Sequence, residues 1–181
     1  MEPFEMTDGV VVLRTPDATD VDRITELCQD PAIQEWTTVP SPYSRTDGES
    51  FVAHLVAGGW SAGTGCNWAV RGAASDDLLG MIGLALEPVG SAEIGYWLAP
   101  AARGRGLMSR SVALVLDAAF GGLGLDRVVW RAFVGNRPSR RVAERAGFHV
   151  EGEIRGGAVH RGVRRDDWVG TLLRTDPRPA R

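Results

Sequence analysis

The feature that most constrains this chain is a turn rich in glycine and arginine between an apolar strand and a long apolar helix. It reads Glu93-Ile94-Gly95-Tyr96-Trp97-Leu98-Ala99-Pro100-Ala101-Ala102-Arg103-Gly104-Arg105-Gly106-Leu107-Met108. The strand ends at Pro100 and the helix opens at Leu107. The first amides of a helix have no partners inside it, and the helix dipole puts partial positive charge there. Gly104 and Gly106 carry no Cβ, so a ligand can come close to the main chain. A turn of this kind suits a pyrophosphate. Two familiar phosphate turns do not fit. A P-loop counted from Gly104 would need glycine and lysine where Ser109 and Arg110 stand, and a dinucleotide fingerprint would need a third glycine at Ser109.

Around this turn the chain alternates strand and helix patterns. Val10–Arg14 reads as a first strand, and Asp20–Gln29 as a helix, with Val21, Ile24, Leu27 and Cys28 at helical spacing and Pro31 closing it. The stretch 36–45 holds Pro40 and Pro42 and is expected to be irregular. Thr46 or Asp47 is expected to cap a second helix through Phe51, Leu55 and Val56, with Glu49 at capping-box spacing from Thr46. Asn67–Arg71, Leu78–Glu87 and Ala92–Leu98 then form three strands joined by short turns, an antiparallel meander. The helix Leu107–Phe120 leaves little polar face and is expected to be buried. A strand Arg127–Val134, a short helix from Pro138 to Ala146 stopped by Gly147, and strands Phe148–Ile154 and Asp167–Arg174 complete the pattern. The expected fold is α+β: a mixed, mostly antiparallel seven-stranded sheet with about four helices. Its one parallel crossover runs through the glycine-rich turn. Residues 1–175 make one domain, with 176–181 as a C-terminal tail.

Composition narrows the function. With 181 residues and a net charge of −3, the chain is not a general nucleic-acid binder, so no DNA partner is expected. No apolar run approaches the length of a membrane span, and the acidic start is not a secretory signal; a cytoplasmic protein is expected. Cys28 and Cys66 read as reduced thiols, and no metal site is expected. All 20 basic residues are arginine, which removes any Schiff-base or P-loop lysine and supplies planar forks suited to phosphate.

A second motif lies between Gly135-Asn136-Arg137-Pro138-Ser139 and Arg145-Ala146-Gly147-Phe148, an NxxS start and a GF finish around the short helix. Arg103 to Met108 also matches the acyl-CoA turn [QR]xxGx[GA] except at Met108. On these two motifs and the order of elements over nearly the whole chain, the sequence resembles the GNAT superfamily of N-acetyltransferases. Within it, the chain is similar to the RimJ/RimL-like branch that acetylates ribosomal-protein N-termini, where methionine is tolerated at the last turn position. The resemblance implies an N-acetyltransferase that moves an acetyl group from acetyl-CoA to a primary amine, by direct attack in a ternary complex. The cofactor would be held by Arg103, Gly104, Arg105, Gly106, Leu107 and Met108, by Asn136, and by main-chain groups of Tyr96, Trp97 and Leu98 where two parallel strands splay. Ser139 would protonate the departing thiolate, while Asn136 can also cap its helix. Arg140 and Arg141 are read mainly as solvated helix-face charges that can also approach the phosphates.

The general base is left open. Family members place a glutamate five residues before the asparagine, where Arg131 stands, or after the GF element, where Ala158 stands. Glu93, His160 and water remain, and Glu93, on the strand beside the turn, is the preferred catalytic partner of Ser139. Acceptor choice is expected in 36–60 and in a loop over 156–165, with Trp36, Tyr43, Trp60 and Trp97 as aromatic walls. Glu35, Asp47 and Glu49 could attract a cationic acceptor. A protein N-terminus and a small amine are both open as acceptor. A catalytically silent acyl-CoA sensor, a succinyl-CoA-dependent enzyme and a homodimer also stay open.

Overall fold

The structure is a computed structural model that describes residues 1–179; Ala180 and Arg181, the end of the expected tail, lie outside the described residues. Eight strands form the sheet: β1 (Met6–Thr7), β2 (Val11–Arg14), β3 (Gly65–Gly72), β4 (Leu78–Glu87), β5 (Ser91–Leu98), β6 (Arg127–Phe133), β7 (His149–His160) and β8 (Val163–Leu173). They stand in the order β1-β2-β3-β4-β5-β6-β8-β7. Every neighbouring pair is antiparallel except β5 and β6. The mixed α+β sheet agrees with the sequence, with one strand more than the seven expected. The addition is β1, which pairs Met6 with Leu13 and Thr7 with Val12. Its two residues are too few to show a period-2 pattern.

The helices are α1 (Val21–Leu27), α2 (Pro31–Trp36), α3 (Arg45–Ser50), α4 (Ala57–Ala62), α5 (Leu107–Phe120) and α6 (Arg137–Arg145). Pro31 does not merely end α1, as the sequence suggested; it opens α2. Asp30 caps that helix by accepting from the Ile33 amide at 3.0 Å, and Pro31 fills the first helical position, where no N–H is needed. The cap expected at Thr46 or Asp47 lies earlier, at Ser44. The Ser44 hydroxyl accepts from the Asp47 amide at 3.2 Å, and the Ser44 amide donates to the Asp47 carboxylate at 2.8 Å, a capping box. From there α3 runs without a break through a π-helical stretch, Phe51–Val56, into α4.

The core lies between these helices and the sheet. Its largest fully buried side chains include Trp60, Trp68 and Trp130. Trp60 and Trp68 meet edge to face at 5.2 Å, and Phe4 packs against both at 5.5 Å. Helix α5 buries Val112, Val115, Leu116 and Ala119 and packs against β2, β4, β5 and β6, as its apolar sequence required. The expected loop over 156–165 is instead the far end of a β7–β8 hairpin, paired from Ala158↔Arg165 to His160↔Val163. Register irregularities after Val150 and after Ile154 leave Glu151 and residues 155–157 outside the pairing, so that Gly156 and Gly157, expected in a loop, lie within the strand.

The parallel pair positions the site. β5 and β6 are joined only from Ser91↔Arg127 to Ile94↔Trp130. Beyond that point β5 continues to Leu98 on β4 alone, while β6 continues to Phe133 on β8 alone. The two strands splay, and the main chain of β5 from Gly95 onward has no strand partner on its β6 side.

Candidate active site

Two clefts enter this splay. The smaller, about 420 Å³, is walled by Ile33 and Trp36 of α2, by Tyr96, Trp97 and Leu98 of β5, and by the first turn of α5. Pro138, Ser139 and Val142 of α6 close its far side. The larger, about 600 Å³, is lined by Phe51 and Leu55 of the π-helical stretch, by the middle of β4, and by Glu93, Arg131 and Asp167. Trp36, Thr37, Tyr96, Trp97, Asn136 and Ser139 line both clefts, so the two meet at the splay.

The smaller cleft ends at the glycine-arginine turn. Gly104 and Gly106 both have φ of +75°, the left-handed region that favours glycine. A Cβ built on either would meet no atom within 4 Å, so the space in front of the turn is open. Helix α5 begins with no side-chain cap, whereas α2, α3 and α6 are capped by Asp30, Ser44 and Asn136. Its first amides and its dipole therefore face the cleft uncompensated, a place for an anion. Leu107 and Met108 line the cleft with their buried side chains. Arg141 and Arg145 of α6 stand across it.

The Arg103 guanidinium serves partly within the protein. Its Nε donates to the Leu98 carbonyl at 3.0 Å and its NH2 to Asp30 at 2.6 Å, tying the turn to the cap of α2. Arg105 is exposed on the turn and is not among the residues lining the cleft. Arg140 pairs with Glu144 at 2.8 Å and lies over the Trp168 ring, away from the cleft.

At the junction of the clefts stands Ser139. Its hydroxyl accepts from Trp130 Nε1 at 3.0 Å and donates to the Tyr96 hydroxyl at 3.3 Å, which in turn donates to the Ser139 carbonyl at 3.0 Å. Asn136 caps α6 by accepting from the Ser139 amide at 3.2 Å, so it fixes the height of Ser139 in the first helical turn. Burial pushes the Tyr96 hydroxyl well above the usual phenol range, so Tyr96 stays protonated and neutral.

Glu93 is half exposed in the larger cleft. Burial raises its carboxyl above the usual range, against the pull of Arg131, whose Nε lies 3.8 Å away. His160 is turned elsewhere. Its Nε2 is 3.1 Å from the Gln34 carbonyl, its ring packs on Phe133, and it is not among the residues lining either cleft. Of the expected aromatic walls, Trp36 and Trp97 line the clefts, while Tyr43 and Trp60 belong to the core. The carboxylates offered for a cationic acceptor are occupied: Glu35 by Arg165 at 2.7 Å, Asp47 by Ser44, and Glu49 by Arg45. Both cysteines are buried, which pushes Cys28 up to about 12 and Cys66 to about 11, so neither is a thiolate nucleophile. Among the described residues, no group of three or more His, Cys, Asp or Glu side chains could hold a metal ion, and no helix is long and apolar enough to cross a membrane.

A family model described as an acetyltransferase (GNAT) domain matches residues 11–149, the stretch that carries both motifs. The chain belongs to the GNAT acetyltransferase family. Among its relatives is YdaF of Bacillus subtilis (strain 168), provisionally named a ribosomal N-acetyltransferase, 41% identical over 55% of this chain and 55% of that one. A ribosomal-protein-serine acetyltransferase of Escherichia coli (strain K12) is 41% identical over 42% of this chain and 44% of its own. The chain thus spans about half the length of each of these relatives. A solved structure of RimL, a ribosomal L7/L12 α-N-protein acetyltransferase in complex with coenzyme A, superposes with a TM-score of 0.84 at 22% identity, covering 95% of this chain and 98% of that one. This GNAT chain therefore has the fold of that enzyme over nearly its whole length.

Two parts of the site were missed from the sequence. Helix α2 supplies a wall of the smaller cleft, and its signal, Asp30 before Pro31, is a local cap motif that could have been found. Asp167 has no local signal, because its contact with Arg131 crosses 36 residues of sequence. Phe51 and Leu55 reach the larger cleft from the helix expected through them, within the 36–60 stretch expected to choose the acceptor; only its π-helical form has no 3.6-residue signature.

Proposed function

We propose that this protein, as a single N-acetyltransferase domain over residues 1–175, transfers the acetyl group of acetyl-CoA to a primary amine by direct attack, with a protein N-terminus as the acceptor class. The observation that carries this reading is the meeting of the two clefts at Tyr96 and Ser139, one ending in an anion-binding helix start and the other in a carboxylate. The residues fit a coenzyme A diphosphate: uncapped α5 amides, two glycines facing open space, and Arg141 and Arg145 opposite. The unpartnered edge of β5 beyond Ile94 offers main-chain groups to the pantetheine arm and N–H donors to the thioester oxygen. Such donors lower an acyl-transfer barrier by about 3–4 kcal/mol each.

In the transfer, the amine nitrogen forms the new C–N bond to the acetyl carbon and the C–S bond breaks. Glu93 accepts the proton that the nitrogen loses, directly or through water, and its raised carboxyl makes it a better acceptor than an ordinary glutamate. Ser139 gives its hydroxyl proton to the departing sulfur. The Trp130 N–H on its oxygen favours the form that has lost the proton, and bulk water restores it. The absence of an accessible thiol supports attack without an acyl-enzyme. A ribosomal-protein N-terminus is the favoured acceptor, from the names of the relatives.

The test is thiol release from acetyl-CoA with and without N-terminal peptides of ribosomal proteins, run beside a panel of small amines. Release that depends on the amine, with an N-acetylated product by mass spectrometry, is expected. Saturable coenzyme A binding with no release across the whole panel would replace this reading with that of an acyl-CoA sensor.

A further inference from the structure

The larger cleft has a charge arrangement that proton removal from an amine does not require. Its lining holds three charged side chains, Glu93, Arg131 and Asp167. Asp167 is 2% exposed and accepts from Arg131 NH1 at 2.9 Å, so one end of the guanidinium is anchored in the protein interior. The other oxygen of Asp167 is buried without a hydrogen-bond partner, against Gly157, so no other group neutralises this carboxylate and Arg131 is held to it. Arg131 itself is 40% exposed. Its Nε sits 3.8 Å from Glu93, an ion pair too long for a hydrogen bond, and among the described residues its NH2 has no acceptor. Arg165, the next arginine along this side, is spent on Glu35 and on the rings of Trp36 and Phe133.

We propose that Arg131 is a specificity-determining residue that reads a carboxylate of the acceptor, and that Asp167 is the positioning residue that aims it. The site then selects a primary amine with a carboxylate close by: the amine goes to Glu93 and the carboxylate to the open edge of Arg131. Arginine is suited to this because its planar fork can serve two carboxylates on different edges at once. An acidic side chain in the first residues of a peptide supplies this chemistry, as does the carboxylate of a free amino acid. The cleft volume of about 600 Å³ favours the peptide, since it is several times that of one amino acid. This inference deepens the proposed acetyltransferase function and rests on the acceptor entering this cleft. If Arg131 served only to neutralise Glu93, its removal would affect acidic and neutral acceptors alike.

The test is calorimetry on the coenzyme-A-saturated protein with two tetrapeptides, Ser-Asp-Glu-Ala and Ser-Ala-Ala-Ala, and with free glutamate beside propylamine, which lacks both of its carboxylates. The acidic peptide is expected to bind about tenfold tighter or more, as for a charge-assisted bond. The preference should fall to within about twofold in Arg131→Gln, and should shrink in the wild type as salt rises from about 0.1 to about 1 M. Arg131→Gln combined with Asp167→Asn keeps the shape and leaves no unpaired buried charge, so it serves where the single variant does not fold. Glutamate binding as tightly as the acidic peptide would keep the carboxylate reading and move its source to free amino acids. Equal binding of the two peptides, a preference that survives in both variants, or no binding of the acidic peptide overturns the proposal. Thiol release is measured on the same samples. A peptide preference without release sinks the catalytic reading alone, and release without a preference sinks this one alone.

Discussion

Ser139 is held from three sides, by Trp130 on its oxygen, by Tyr96 at its hydroxyl proton, and by Asn136 under its amide. Its oxygen is placed before any ligand arrives, so the proposed proton donor has only to rotate its O–H from Tyr96 to the sulfur. Ser139→Ala removes the proposed proton donor but keeps the helix cap, because Asn136 bonds the main chain. We expect kcat to fall about 10²-fold, the lower end for a general acid, with little change in acetyl-CoA affinity by calorimetry. An equal loss in affinity would mark Ser139 as a binding residue instead. At Glu93 the sign of the shift yields a stability forecast. A carboxyl raised in the folded state holds its proton more tightly there, so its stabilising contribution is present below the ordinary pKa and lost as pH rises through the raised value. At neutral pH the ionised side chain is a burden that glutamine lacks. Glu93→Gln should therefore lower kcat and flatten the alkaline rise of the rate. Relative to wild type, its melting temperature should be higher at pH 7 than at pH 4, as thermal scans at both values would show. A pH-independent difference would assign Glu93 no buried character. Ser139 and Asn136 were legible in the sequence because a cap motif is local, its two residues three positions apart. The Arg131–Asp167 contact was not, since it exists only once β6 and β8 pair in their particular register.

The elements divide in the same way. β4 and α5 have the limits the sequence suggests, because each is a long segment of one period between clear turn residues. Helix α2 was missed since a proline can end one helix and begin another, and only the cap at Asp30 tells the two apart. The β7–β8 hairpin extends through glycines that read as loop, because bulges let a strand continue past them. The site depends most on the start of α5. Gly106 is its cap residue at φ +75°, a conformation costing about 1–2 kcal/mol for a residue with a Cβ. Gly106→Ala meets no steric neighbour, so backbone strain is its whole cost to the free protein. We expect about 1 kcal/mol of lost stability by denaturant titration. Coenzyme A affinity should drop by more than that strain explains, because the new methyl faces the open space before the turn. Unchanged affinity would place the diphosphate elsewhere.

At the scale of the whole molecule, the sheet is two pieces joined by a short seam. The meander β1 to β5 and the group β6 to β8 share only the four residue pairs from Ser91↔Arg127 to Ile94↔Trp130. Helix α5 crosses behind them. The smaller cleft draws its walls from both pieces, Ile33, Trp36 and Leu98 on one side and Pro138, Ser139 and Val142 on the other. A ligand filling it would add contacts across the place where the sheet has fewest of its own. Binding to the folded state alone stabilises by about 2.7 kcal/mol at about a hundredfold excess over Kd. For a domain of this size each kcal/mol is worth about 2–4 °C, so acetyl-CoA at that excess should raise the melting temperature by about 5–10 °C. Coenzyme A should act similarly, whereas adenosine, lacking the diphosphate, should do much less. The shift belongs to the seam if hydrogen exchange slows on both β5 and β6 together. Protection confined to the start of α5 would mean that the ligand grips the turn without closing the two pieces on each other, and the cleft would then hold the diphosphate but not the pantetheine arm.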